Sequence, residues 1–350
     1  MKNLFVGFNF LNNQIGRFEN LDKKIFVDST STDNDKTLFF PIDSYKSKTK
    51  LQKDLLSFLN QNTVKYILFN LSVNEISDET LIILKSRYTT INWFGDDHWR
   101  FDSFSRLKAK LFSYCVTTDI KALIKYKKIG INNIILSQWG TTEVVLKKEK
   151  QVYKYDITFI GSYSILREWI ILNLKKNNLN VKVFGFGWDN SSFVDYHDLK
   201  NLVLTTKINL NLSNSAPDDY RMISFFIIKT LKEIFFLKKF KKNFYRIIRA
   251  IKLKFFYKKN VEQIKARNFE INAFNGFQIT NHVKELEAFF NDGEDIIYFK
   301  NIDDLVEKCS YFLEHNEERE VIKEKGFKNS SKHTYKERFK KIFKQIDDFN

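Results

Sequence analysis

Short runs rich in apolar residues recur along the first third of the chain, at positions 4–8, 37–40, 66–70 and 90–94. Short runs this rich in apolar residues predict buried strands. The segments between them, 51–60 and 78–87, carry apolar residues at helical spacing, and strand–helix alternation of this kind predicts a parallel sheet covered by helices. A further strand is expected over 111–118, a helix over 119–128 stopped near Gly130, and a short strand at 133–136.

The pattern then lapses. Residues 141–154 show little periodicity and carry Lys147, Lys148, Glu149, Lys150 and Lys154, which suits a linker. A second alternating series follows, with strands expected over 155–161, 181–185, 208–212, 277–280 and 295–299. Helices are expected over 166–176 and from Phe269, with a long charged helical tail from Ile302 onward. Two α/β domains are therefore expected, 1–145 and 146–335, with a last helical segment, 336–350, able to cross back to the first. A length of 350 residues agrees with two domains of ordinary size.

Composition narrows the class. Hydrophobic residues make up 43% and charged residues 29%, values of a folded globular protein rather than a disordered one. Cys115 and Cys309 are the two cysteines, which excludes a disulfide framework and fits a reducing cytosol. The start of the chain lacks the apolar run of a signal peptide, and no stretch approaches the about 20 apolar residues that cross a bilayer. A cytoplasmic location is the expectation. The formal charge of +16 is unevenly spread: residues 221–260 hold 13 Lys or Arg against one acidic residue, Glu233.

The histidines, His98, His197, His282, His315 and His333, show no metal-binding spacing, and no Walker loop or Gly-x-Ser-x-Gly elbow occurs. Neither a metal nor a cofactor is expected. Gly161 and Ser162 follow an apolar strand and precede a helix, where backbone N–H groups approach phosphate; an ordinary strand-to-helix turn is the alternative. Asp96 and Asp97 end an expected strand, and ligands of open α/β sheets sit beyond the carboxyl ends of strands. Either could act as base on an acceptor hydroxyl, with His98 a further candidate; a turn or helix-cap pair and a surface histidine are the alternatives.

The stretch 265–281 is more informative. Arg267, Phe269, Glu270, Ala273 and Gly276 form Arg-x-Phe-Glu-(x)2-Ala-(x)2-Gly before an apolar strand ending at Thr280 and Asn281. With Gly293, Glu294 and Asp295 before an apolar run, and with His333, Tyr335, Glu337 and Arg338, it resembles the C-terminal domain of the CgeB-like (spore-maturation-type) glycosyltransferases. The resemblance covers roughly the last 85 residues closely, and Phe94–Trp99, the 159–162 turn and 208–212 follow the same family in the same order.

The resemblance implies a GT-B fold, two facing Rossmann-like domains with parallel sheets, the donor being held mainly by the second. It implies a nucleotide-sugar site of Gly161, Ser162, Arg267, Asn268, Glu270, Gly276 and Thr280. Glu270 would accept hydrogen bonds from ribose hydroxyls, and Arg267 would offer its planar fork to the diphosphate. Asn275 stands where relatives carry glycine, so a tight backbone approach there is in question. The acceptor implied is an envelope glycan, a lipid-linked glycan or a protein.

The basic block 221–260 reads as an insertion relative to that family. Apolar residues such as Ile227, Leu231, Ile234, Phe244 and Ile248 share one helical stripe, a composition suited either to an anionic membrane surface or to a helical hairpin with solvated lysines. Two other classes of function stay open: a nucleic-acid-binding protein, disfavoured because the charge is confined to one segment without a binding-module signature, and an inactive GT-B binding protein.

Overall fold

The computed structural model describes residues 2–10, 20–33, 35–145, 152–189, 194–213, 219, 221, 222, 224, 225, 227–229 and 262–349. The basic block, apart from a few residues at its start, and the membrane-docking reading attached to it lie outside the described residues. The chain divides into two units, Met1–Thr142 with His333–Asn350, and Glu143–Lys332.

Unit 1 is built on six parallel strands: β1 (Lys2–Gly7), β2 (Leu38–Pro41), β3 (Val64–Phe69), β4 (Thr89–Phe94), β5 (Tyr114–Thr117) and β6 (Ile134–Leu136). Their order is β2-β1-β3-β4-β5-β6. The chain thus passes from β1 to one side and then returns to the other, which puts a topological switch point between β1 and β3. Helices α1 (Lys48–Gln61), α2 (Asp78–Arg87) and α3 (Ile120–Lys128) begin where side chains satisfy their first N–H groups. Ser47 accepts from Lys50 N, Ser77 from Thr80 N and Asp119 from Lys121 N.

Each face of this sheet buries its own core. Leu4, Val6, Ile67 and Phe69 pack with Leu55, Leu81 and Tyr126 on one side. On the other, Phe5, Tyr66, Leu68, Ile91 and Trp93 meet Tyr335, Phe339, Ile342 and Ile346. Those last four recur at helical spacing along the C-terminal helix, Tyr335–Phe349, so this one face of the helix is what covers the sheet. Tyr66 stacks on Phe343 at 4.7 Å, and Asp347 pairs with Lys65 at 3.0 Å.

Unit 2 carries five parallel strands: β7 (Tyr155–Ile160), β8 (Val181–Phe184), β9 (Thr206–Asn211), β10 (Gln278–Asn281) and β11 (Ile297–Phe299), ordered β11-β10-β9-β7-β8. Its switch point lies between β7 and β9. The helices are α4 (Ile165–Lys176), α5 (Tyr196–Leu204), α6 (Arg267–Ala273), α7 (Ile302–Glu314) and α8 (Asn316–Ser330). Among the described residues no helix is long and apolar enough to cross a membrane.

Several expected elements differ in detail. The strand expected from 111 starts at Tyr114, because Ala109–Leu111 form a 3-10 turn and Phe112 packs on Phe69 and Phe94 ahead of the strand. The single charged tail is three helices, interrupted at His315, whose ψ of 71° is not helical, and again before Tyr335. Helix α5 was not expected, since its inward residues reduce to Leu199 and Val203. The strand expected from 295 begins at Ile297, because the Asp295 carboxylate is engaged by Asn291 N and Asn329 Nδ2.

Candidate functional site

In unit 2 the strand β7 runs into Gly161 and Ser162, and Ser164 then caps α4 by accepting from Arg167 N. The carbonyls of this turn are used within the unit. Gly161 O accepts from Trp188 Nε1 at 2.9 Å, and Ser162 O from Arg167 Nη1 at 2.7 Å. Gly185, at φ +126°, comes so near that a Cβ on it would lie 2.5 Å from Gly161 O. Close backbone packing of the β7 and β8 ends is therefore what requires glycine there.

Arg167 also donates from Nε and Nη2 to Leu212 O, at 3.1 and 2.8 Å. Ser162 follows β7 and Leu212 follows β9, so this guanidinium straddles the switch point of the sheet, where open α/β folds bind ligands. Burial, and secondly the charge of Arg267, bring Arg167 down to about 10. Of its five N–H donors, three are directed at these two carbonyls, leaving capacity for an anion.

Arg267 opens α6, and residues Asn268 to Ala273 behind it are all buried. Its Nη1 lies 3.1 Å from Glu270 Oε2. Glu270 is 3% exposed; burial pushes its carboxyl up from the ordinary value, and Arg267 opposes this. Eight residues earlier in the chain, Glu262 is pushed up to about 7 by burial, with His282 opposing.

The remaining nucleotide-site candidates divide from these. Asn268 donates from Nδ2 to Thr280 Oγ1 at 3.2 Å, and its own carbonyl accepts from Gln278 Nε2, so Asn268 and Thr280 form a buried tie between α6 and β10. Gly276 is a packing glycine: a Cβ there would meet Val203 Cγ1 at 2.5 Å. Asn275 has φ +56°, the left-handed conformation that asparagine tolerates better than other side chains, so the turn is made without glycine. Arg167 thus bonds to Ser162 and feels the charge of Arg267, itself paired to Glu270, while Gly161, Asn268, Gly276 and Thr280 make contacts within the unit.

In unit 1 the three catalytic candidates diverge. Asp97, 1% exposed, turns inward and accepts from Tyr126 Oη at 3.1 and 3.3 Å; burial pushes it up to about 6, against hydrogen bonds from Ser105 and Thr117. His98 lies edge-on to Trp99, 6.5 Å between ring centres, and does not line the cavity described next. Asp96 does line it. This cavity, about 350 Å³, sits beyond the carboxyl ends of β1, β3 and β4 and is bounded by Asp22, Asn70, Trp93, Asp96, Arg100 and Trp139 among others.

Neither Arg167 nor Asp22 was anticipated. In sequence Arg167 is one more cation in the first turn of a helix, and Asp22 lies in a segment without a clear period. Their roles depend on partners far along the chain. One group of candidate metal ligands occurs among the described residues: Asp195, His197 and Asp198, with donor atoms within 4.8 Å. All three are exposed, and Asp195 is the cap of α5, accepting from Asp198 N.

Residues 236–344 match the family model described as glycosyl transferase-like. No curated protein matches the chain in sequence. Among solved structures, HepE of Anabaena in complex with UDP-glucose is similar at 10% identity and TM-score 0.63, the match covering 99% of this chain and 100% of that one. A glycosyltransferase from Rickettsia africae is similar at 10% identity and TM-score 0.58, over 99% and 98% of the two chains. A variant of TarM from S. aureus, in complex with fondaparinux, α-GlcNAc-glycerol and UDP, is similar at 10% identity and TM-score 0.53, over 84% of this chain, which spans 58% of that protein. The fold is accordingly GT-B, with two Rossmann-like units of parallel sheet. The segment 236–344 is similar to the glycosyl transferase-like family, and the solved structures share the fold.

Proposed function

We propose that the chain transfers a sugar from a nucleoside-diphosphate sugar, held by unit 2, to a hydroxyl of a glycan, lipid-linked or protein acceptor, as a relative of the CgeB-like enzymes. The observation that carries this reading is Arg167 anchored on Ser162 O and Leu212 O at the switch point of the second sheet, within range of the charge of Arg267, which is paired to Glu270. Two cations on a site of this kind suit two linked phosphates, and the buried carboxylate suits ribose hydroxyls. The UDP and UDP-glucose bound by HepE, and the UDP bound by TarM, support a diphosphate donor.

In the transfer, an acceptor oxygen bonds to the anomeric carbon while the bond from that carbon to the β-phosphate oxygen breaks. The electron pair leaves with the nucleoside diphosphate, whose growing charge the guanidiniums offset. The hydroxyl proton passes to a general base; of the two candidate carboxylates in unit 1, Asp96 lines a cavity whereas Asp97 is enclosed. Cationic side chains at the diphosphate supply the charge that a metal supplies elsewhere, so no cofactor enters the scheme. Membrane docking through 221–260, on the cytoplasmic face, is retained on its sequence alone.

Thermal shift with UDP-, GDP-, ADP- and CMP-linked sugars tests the reading. One donor at 100 times its Kd is expected to add about 2.7 kcal/mol of stability, and Glu270→Ala to abolish the gain. Equal indifference to all four overturns it.

A further inference from the structure

The described residues between Arg221 and Lys229 are helical and precede the segment 236–344 that matches the family model. Met222, Phe225 and Lys229 recur at spacings of three and four, on one side of that helix. Met222 is buried in the core of unit 2 and Phe225 packs against it, while Ile227 and Ile228, on the opposite side, are each 52% exposed. Arg221 pins the start, pairing at 2.9 Å with Asp219 and also with Asp303 in the first turn of α7. The root of the basic block is thus a fixed part of unit 2.

Lys229 fastens this root at a second place. Its Nζ donates to Glu168 Oε2 and lies over the rings of Tyr163 and Phe225, at 6.0 and 5.8 Å. The same Oε2 accepts from Tyr163 Oη at 2.6 Å. Tyr163 follows Ser162, and Glu168 follows Arg167 in the first turn of α4, so one carboxylate staples both ends of the stretch that carries Arg167. Within that stretch Arg167 Nη1 reaches back to Ser162 O, and Tyr163 N donates outward to Phe186 O at 2.8 Å. An arginine on a turn held in this way loses less freedom when it takes up an anion, which is how a preset site gains affinity.

Burial of Met222 and Phe225 holds the root to the core. The Lys229–Glu168 pair is different in kind: its side chains are 23% and 24% exposed, and ion pairs near solvent add little to global stability. Its effect falls on the turn it spans.

We propose that Lys229 is a positioning residue for the donor diphosphate: through Glu168 and Tyr163 it holds the 162–168 turn, and with it Arg167, in the arrangement that receives the phosphates. Naming the anion a diphosphate rests on the glycosyltransferase reading; the hold on the turn does not.

Two measurements on the full chain test this, with Lys229→Met, which keeps the apolar stem and removes the charge, and Lys229→Arg, which keeps the charge. In titration calorimetry with UDP, GDP and ADP, the diphosphate that binds best is expected to weaken about three- to fivefold in Lys229→Met and to stay within about twofold of wild type in Lys229→Arg. The melting temperature is expected to be kept in both. In hydrogen exchange without ligand, the amides of Tyr163, Arg167 and Glu168, all hydrogen-bonded within the unit, are expected to exchange faster in Lys229→Met and as in wild type in Lys229→Arg. Tyr163→Phe gives the same two readouts should Lys229→Met fail to fold. Unchanged affinity, unchanged exchange, or failure of Lys229→Arg to restore either overturns the proposal. Faster exchange in a protein whose wild type binds no diphosphate would sink the donor reading and leave the hold on the turn; diphosphate binding indifferent to Lys229 would do the opposite.

Discussion

The guanidinium of Arg167, anchored on the carbonyls of Ser162 and Leu212, lies near enough to that of Arg267 for the second charge to add to burial in lowering the first to about 10. Like charges within range of each other repel, and a bound anion would relieve that repulsion, which is why the proposed donor site is placed here.

Removing Arg267 should therefore weaken the donor more than its accessible position suggests. A hydrogen bond to a charged group contributes about 1.5–3 kcal/mol, so Arg267→Ala is expected to raise the donor Kd by roughly ten- to a hundredfold. Titration calorimetry checks this. Arg267→Lys should recover little, since an ammonium lacks the planar fork.

Glu270 should separate stability from binding. Its carboxyl is raised by burial, with Arg267 opposing, so the native state holds its proton to higher pH than the unfolded chain does. Between the two values stability falls as pH rises. Glu270→Gln is expected to melt at or above the wild-type temperature at neutral pH while losing donor stabilisation. A variant that melts well below wild type at every pH would contradict this account.

Asp97 offers a cleaner titration. The native carboxyl titrates at about 6 against an ordinary 3.8, for reasons of burial. From this group, stability is fullest below the lower value and declines as pH climbs through the upper one, by up to roughly 3 kcal/mol at about 1.36 kcal/mol per pK unit. Urea unfolding of Asp97→Asn at pH 4 and pH 7 should show a smaller pH dependence than wild type, the amide oxygen still accepting from Tyr126.

The C-terminal helix should be indispensable to unit 1. Phe339, 1% exposed, packs against Phe26 at 5.5 Å and Trp93 at 5.9 Å. Phe339→Ala is expected to cost about 3–5 kcal/mol, read from the midpoint of chemical unfolding. A loss below about 1 kcal/mol would mean the sheet face closes without it.

The architecture was legible before any coordinates because its causes are local. Apolar runs at 4–8, 66–70 and 90–94 become β1, β3 and β4 through backbone periodicity, and Ser47, Ser77 and Asp119 start their helices through caps one turn long. Arg267 and Glu270 were legible for the same reason, being three positions apart on one helix. Local pattern failed where an apolar residue is buried outside a strand, as at Phe112 ahead of β5.

Asp96 and Asp97 mark the boundary. Neighbouring residues of one type carry the same sequence signal, yet one lines a cavity and the other is enclosed beside Tyr126. Asp22 meets Asn70 across 48 positions and Arg167 meets Leu212 across 45, distances that only sheet order closes. The sequence by itself determined the strands, the helices and the ion pair within one turn, since those depend on neighbouring residues. Which carboxylate lines a cavity, and which two guanidiniums feel each other's charge, was decided by the tertiary structure, because burial and charge proximity belong to positions in space.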